Sequence, residues 1–177
     1  IRGLAGDDYI VGGSVSPSAG GDDDDIIQGG AGDDVLIGGR GSDGLTGNGG
    51  ADTMFGLLPD PGADEFGGPY PYTWLPSNYN EMYGGPGNDT IIASTDIDLN
   101  ADGDCNDEGE WCAPSGGDSG YGGVGDDLLV GGSEMDYFEG RTGNDVIQGG
   151  DNSDYLYGGP GTDTIWGAAG SATMMGA

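Results

Sequence analysis

There is no histidine in this chain, and its 177 residues hold only three basic side chains. The first absence removes Ser-His-Asp catalysis and the zinc-protease constellations, both of which need an imidazole. The second removes the basic surface that nucleic acid requires and any attraction to anionic membranes. No apolar run approaches the ~20 residues of a membrane-spanning helix, so membrane insertion is not expected. Cysteine is scarce as well. Cys105 and Cys112 lie seven apart in a loop-like stretch; they either pair, which implies an oxidising extracellular setting, or stand as two free thiols. Ile1 and Ala177 both fall in mid-pattern, so the sequence reads as a segment of something longer.

What the chain has in excess is glycine, 43 residues, and acid, 32 residues, for a formal charge of −29. Typical glycine content is about 7 %. Low hydrophobicity with high net charge is ordinarily the signature of disorder, and self-repulsion of this size opposes compaction. Either the chain is a coil, or something cationic neutralises it.

The order of the residues decides against the coil. Residues 29–37 read GGAGDDVLI, 38–46 GGRGSDGLT and 47–55 GNGGADTMF. GGPGNDTII follows at 84–92, GGVGDDLLV at 122–130, GGSEMDYFE at 131–139, GRTGNDVIQ at 140–148, GGDNSDYLY at 149–157 and GGPGTDTIW at 158–166. GLAGDDYIV at 3–11 and GGDDDDIIQ at 20–28 fit the same nine-residue frame, and degenerate copies sit at 59–67, 75–83 and 167–175. The sixth position holds Asp8, Asp25, Asp34, Asp43, Asp52, Asp64, Asp89, Asp127, Asp136, Asp145, Asp154 and Asp163, with Asn80 and Ala172 as exceptions. The eighth position is apolar in every copy, from Ile10 and Ile27 through Phe66 and Met82 to Ile165 and Met174. An unselected acidic coil would not hold two such columns in phase.

Each unit divides into a turn and a strand. Glycines at positions one, two and four permit the positive φ of a sharp turn. The last three residues alternate outward, inward, outward as a strand does, which assigns one inward side chain to each unit. Glycine at this density excludes a helix. A three-residue strand buries little alone, so units must stack. Two units make a coil of about eighteen residues, and the coils pile into two parallel sheets with the eighth-position residues between them. The expected fold is all-β: a right-handed parallel β-roll of nine-residue repeats, two units per coil. Stacking also brings the turn carboxylates into line, where they repel unless a cation intervenes. Calcium takes six to eight oxygen ligands, carboxylate and carbonyl mixed, whereas magnesium demands a tighter octahedron and zinc prefers His or Cys. At most about twelve gaps between stacked turns, each with one Ca²⁺, would supply about +24 against −29, which points to calcium ions on the order of ten.

The frame G-G-x-G-x-D-x-U-x, with U a large apolar residue, resembles the calcium-binding nonapeptide of RTX proteins, the haemolysin-type repeat. The resemblance implies that the position-six carboxylates and the turn carbonyls bind calcium. It also implies export by type I secretion and folding on contact with external calcium. Asn80 and Ala172 at position six, and Asp23, Glu134 and Asn152 in place of the fourth-position glycine, depart from the pattern.

One domain is expected over 1–177, with insertions at about 12–19, 68–74 and 93–121. The first reads as a solvated loop. The second and the degenerate unit after it carry Tyr70, Tyr72, Trp74 and Tyr79, either a loop shielding the side of the roll or a ligand patch. The third contains DLNADGDCNDEGEW, in which Asp98, Asn100, Asp102, Gly103, Asp104 and Asn106 match positions 1, 3, 5, 6, 7 and 9 of an EF-hand-type loop, while Gly109 stands where position 12 should be Glu. It resembles the lone calcium loop of dockerin-type repeats, and a Cys105–Cys112 disulfide would staple it.

Catalysis is not expected, because the repeat already accounts for the paired carboxylates. The functional expectation is a calcium-binding structural or interaction module of a secreted or cell-surface protein. Outward Phe55, Tyr137, Tyr155, Tyr157 and Trp166 suit self-association or contact with other extracellular proteins or glycans. The alternative is the export and folding domain of a secreted enzyme or toxin.

Overall fold

The structure, a computed structural model, describes residues 1–13, 24–39, 41–56, 80–93, 117–132, 135–167 and 172–176. Among them every regular element is a strand. The order is β1 (Tyr9–Val11), β2 (Ile26–Ala31), β3 (Val35–Ile37), β4 (Gly44–Gly49), β5 (Thr53–Phe55), β6 (Glu81–Pro86), β7 (Thr90–Ile92), β8 (Ser119–Val124), β9 (Leu128–Val130), β10 (Tyr137–Thr142), β11 (Val146–Gln148), β12 (Tyr155–Tyr157), β13 (Thr164–Trp166) and β14 (Thr173–Met175). They form two seven-stranded parallel sheets. The first runs β1-β3-β5-β7-β9-β11-β13 and the second β2-β4-β6-β8-β10-β12-β14. Odd and even strands separate because each coil contributes one strand to each sheet, as the two-unit coil requires.

The eighth-position residues Ile27, Leu36, Leu45, Met54, Met82, Ile91, Leu129, Phe138, Ile147 and Leu156 are all buried in a single core drawn from both sheets. Ile165 is only partly buried against that core, and Met174 in the last strand is 52 % exposed.

The expectation of one inward side chain per unit needs correction. The twofold alternation of a strand continues past x-U-x in both directions. Asp34, Leu36 and Gly38 are all buried, as are Asp43, Leu45 and Gly47, and Asp145, Ile147 and Gly149. The position-six carboxylate therefore points into the end of the coil, and the position-one glycine lies opposite it. The second sheet is also wider than expected. Five of its strands extend to six residues, pairing through the G-G-x of the following turn.

Register locates the breaks in the period. Asp34 and Asp52 stack 18 residues apart, Asp8 and Asp34 26 apart, Asp43 and Asn80 37 apart, and Asn80 and Asp118 38 apart. The third break is therefore shorter than 93–121 at both ends. Ala93 remains in the stack through its N–H to Val130 O (2.9 Å), and Asp118 and Ser119–Tyr121 form the turn end and strand of a further coil. In the second break, Asp52 stacks directly on Asp89, so no described rung intervenes for a unit at 59–67. That copy, with Asp64 and Phe66, lies outside the described residues, as do the aromatic 70–79 stretch, the loop bearing Asp98, Asn100, Asp102, Asp104 and Asn106, and both cysteines.

All three breaks fall in connections from the first sheet to the second: β1 to β2, β5 to β6 and β7 to β8. Every connection from the second sheet back to the first keeps the period. The roll thus has one uninterrupted edge and one edge that carries all the insertions.

Candidate functional site

The site is built at the two edges from position six. On the uninterrupted edge the backbone N–H of Asp8 donates to Oδ1 of Asp34 (2.8 Å), Asp34 to Asp52 (2.9 Å), Asp52 to Asp89 (2.8 Å), Asp89 to Asp127 (2.8 Å), Asp127 to Asp145 (2.9 Å) and Asp145 to Asp163 (3.1 Å). On the other edge Asp25 donates to Asp43 (2.9 Å), Asp43 to Asn80 Oδ1 (3.1 Å), Asn80 to Asp118 (2.6 Å), Asp118 to Asp136 (2.8 Å) and Asp136 to Asp154 (3.1 Å). From Asp34 onward each position-six side chain thereby clamps the coil before it. Eleven of the twelve position-six aspartates read from the sequence take part. Asp118, which sequence reading left inside an insertion, is an additional rung. Its signal was present in the GGD at 116–118, but the eighth position of that unit is Gly120, which hid the copy.

From Asp34 onward Oδ1 of each carboxylate is thus accounted for, and in most turns Oδ2 is not. Oδ2 of Asp25, Asp34, Asp43, Asp52, Asp89, Asp118, Asp127, Asp145 and Asp154 is buried with no hydrogen-bond partner. In two turns it accepts the position-two N–H, Leu4 to Asp8 (3.1 Å) and Gly132 to Asp136 (3.0 Å). An orphaned buried acceptor costs about 1–3 kcal/mol, and more when charged, so nine of them demand a neutralising partner. Protein cations do not supply it: among the described residues, the ion pair present joins Arg141 Nε to Glu139 at 3.6 Å on the outer face of the second sheet.

Burial raises the carboxyl groups accordingly. Asp43 and Asp52 are pushed up from 3.8 to about 6, and Asp127 to about 7, by desolvation first and by neighbouring carboxylates after it. Asp118 is pushed up to about 8 by burial, against hydrogen bonding from Asn80 that pulls it down. Asp89, Asp145 and Asp154 shift the same way for the same leading reason.

Position-one glycine is required opposite the orphan. A Cβ built on Gly29, Gly47, Gly84, Gly122, Gly140 or Gly149 would meet the Oδ2 of its own unit's aspartate inside van der Waals contact. Position-four glycine is required for a second reason. The carbonyl of Gly50 points at the place a Cβ of Gly87 would occupy, that of Gly87 at Gly125, and that of Gly125 at Gly143, and each of the three receiving glycines has φ between 140° and 145°. Backbone oxygens thus line the same turns that hold the unpartnered carboxylate oxygens.

Position five forms a further ladder that sequence reading did not single out, although Asp or Asn recurs there. It runs in the opposite sense: Asp33 N–H donates back to Asp7 (3.0 Å), Ala51 to Asp33 (2.8 Å), Asp126 to Asn88 (3.0 Å) and Asn144 to Asp126 (2.8 Å). These side chains are exposed and use an oxygen structurally.

Except at Asn80, the donor set is all oxygen, one carboxylate per turn with carbonyls around it. Among the described residues no three acidic or Cys side chains converge, so any cation held here draws most of its ligands from backbone. That chemistry fits calcium, which accepts carbonyls and irregular geometry, better than magnesium.

Residues 1–14, 19–56, 80–99, 115–147 and 139–174 match the family described as RTX calcium-binding nonapeptide repeat (4 copies), together well over half of the chain. No curated protein and no solved structure matches it.

Proposed function

Because the chain belongs to the RTX calcium-binding nonapeptide repeat family, a calcium-binding repeat module, we propose that it is the structural and interaction part of a secreted or cell-surface protein and becomes compact when it meets external calcium. The observation that carries the reading is the set of nine buried, unpartnered carboxylate oxygens at the turn ends. Asp8, Asp25, Asp34, Asp43, Asp52, Asp89, Asp118, Asp127, Asp136, Asp145, Asp154 and Asp163 are the proposed carboxylate ligands, completed by turn carbonyls, with ions on the order of ten. Asp64 and the loop of Asp98, Asn100, Asp102, Asp104 and Asn106 are proposed as further ligands on sequence grounds. Bound calcium supplies positive charge between like-charged turns. The chain's own residues orient the carboxylates, through the ladder bonds to Oδ1, and exclude water with the apolar core. One carboxylate per turn suits the weak affinities, about 10⁻⁴–10⁻³ M, of extracellular calcium modules. The module is proposed to be non-catalytic.

An interaction role draws support from the outer face of the second sheet. Tyr83 and Tyr121 stack there with centroids 4.7 Å apart, Arg141 lies 5.0 Å over the Tyr121 ring, and Tyr137 pairs in register with Tyr155, which is 53 % exposed. Such a surface suits self-association or another extracellular protein or glycan.

Far-ultraviolet circular dichroism through an EGTA and calcium cycle tests the proposal. Chelation is expected to convert strand to coil, since binding free energy here is folding free energy, and excess calcium to restore it. A spectrum unaffected by EGTA would overturn the reading.

A further inference from the structure

The rung formed by Asn80 and Asp118 does not match its neighbours. Asn80 keeps the ladder intact, accepting from Asp43 at 3.1 Å and donating its own N–H to Asp118 at 2.6 Å. Where the other rungs turn a carboxylate oxygen inward, however, it turns Nδ2, a donor that is buried without a partner. The position-one place beside it is taken by Gly56, whose Cβ would lie 2.7 Å from that Nδ2 and 2.5 Å from the carbonyl of Ala93. Ala93 then occupies the next position-one place. Its N–H reaches Val130 O at 2.9 Å, as Gly38 reaches Phe55 O and Gly56 reaches Ile92 O in the levels before it. Ala93 is fully buried and is the one position-one residue among those described that carries a side chain. Elsewhere a methyl at that position would fall on the aspartate Oδ2.

Two independent features thus oppose a cation between two adjacent levels: an amide donor in place of an acceptor at Asn80, and at the next level, that of Asp118, a methyl on Ala93 where the other rungs have glycine. We infer that the calcium column of the insertion-bearing edge is interrupted at Asn80 and Ala93, so that two separate ion columns share this edge while the opposite edge carries one unbroken column through the same coils. The inference rests on the reading that the position-six rungs hold calcium. Its consequence is a pair of adjacent levels of the roll with no position-six ion between them, held by the hydrogen bonds of Asn80 and the Met82 and Ile91 core.

Native mass spectrometry after chelation and return of calcium chloride counts the ions, with circular dichroism confirming the fold of each variant. Asn80→Asp combined with Ala93→Gly is expected to bind one more calcium than the parent, and Asn80→Ser to keep the parent's count. Asp145→Asn on the uninterrupted edge, with Asp52→Asn as a second choice should the first not fold, is expected to lose at least one. Loss of an ion in Asn80→Ser, or no gain in the double variant while Asp145→Asn loses one, would overturn the interruption alone. An unchanged count in the folded Asp-to-Asn variants would overturn the calcium ladder itself.

Discussion

The ring of Phe138 fills the space that Gly120 leaves open on the adjacent strand. The two residues are register partners in the second sheet, and a Cβ on Gly120 would lie 2.7 Å from Phe138 Cδ1 and 2.8 Å from Cε1. Gly120 is the eighth-position residue of its unit, where other units supply a large apolar side chain. The missing volume is made good one coil later by the largest fully buried side chain of the core. Interiors pack to crystal density, so a deficit at one rung has to be met by a neighbour.

Phe138→Ala therefore removes two rungs' worth of core. The cost is expected near the upper end of the ~3–5 kcal/mol seen for buried Phe→Ala changes, since Gly120 has nothing with which to close the cavity. Urea denaturation in saturating calcium measures it, and a loss below about 2 kcal/mol would show that the core relaxes around the gap.

Gly143 and Gly6 separate conformational strain from close approach. Both have positive φ, 141° and 104°, but only at Gly143 would a Cβ meet a neighbouring carbonyl, that of Gly125, while nothing lies within 4 Å at Gly6. Gly6→Ala should cost the ~1–2 kcal/mol of a left-handed alanine. Gly143→Ala should cost clearly more and also weaken calcium binding, since it displaces a turn oxygen. Equal melting temperatures for the two variants in calcium would refute the role assigned to the stacked carbonyls.

Acid should partly replace calcium. In the ion-free roll burial raises Asp43 and Asp52 to about 6, Asp127 to about 7 and Asp118 to about 8, from 3.8. A raised folded pKa means that the compact form holds protons the coil has released. Its contribution is full below the unfolded value and is lost as pH rises through about 6 to 8. Metal-free protein is thus expected to be coil at pH 8 and to recover strand signal towards pH 5. Calcium binding at pH 7 should release protons, seen as heats that differ between buffers of unlike ionisation enthalpy. Buffer-independent heats would count against protonated rungs.

Damage to one rung should stay local. Asp145 clamps Asp127 and donates to Asp163, and in a solenoid each coil contacts only its neighbours. Asp145→Ala is expected to speed amide hydrogen exchange in β9, β11 and β13 while β3 and β5 keep their protection. Uniform loss of protection along the chain would indicate a single cooperative unit.

Much of this was legible in the linear order. The nine-residue phase of Asp and apolar residues specifies turn and strand, the absence of His and the excess of acid specify a hard oxygen-binding cation, and the two-unit coil follows from how little one strand can bury. All of these are local or periodic properties, and a single chain displays them without its fold. The aspartates' second oxygens, the rung at Asp118, the confinement of every break to one edge and the mismatch at Asn80 and Ala93 were not legible. They depend on which residues 18, 26, 37 or 38 apart become neighbours. That register is decided only when coils stack and hydrogen bonds between them choose the partners.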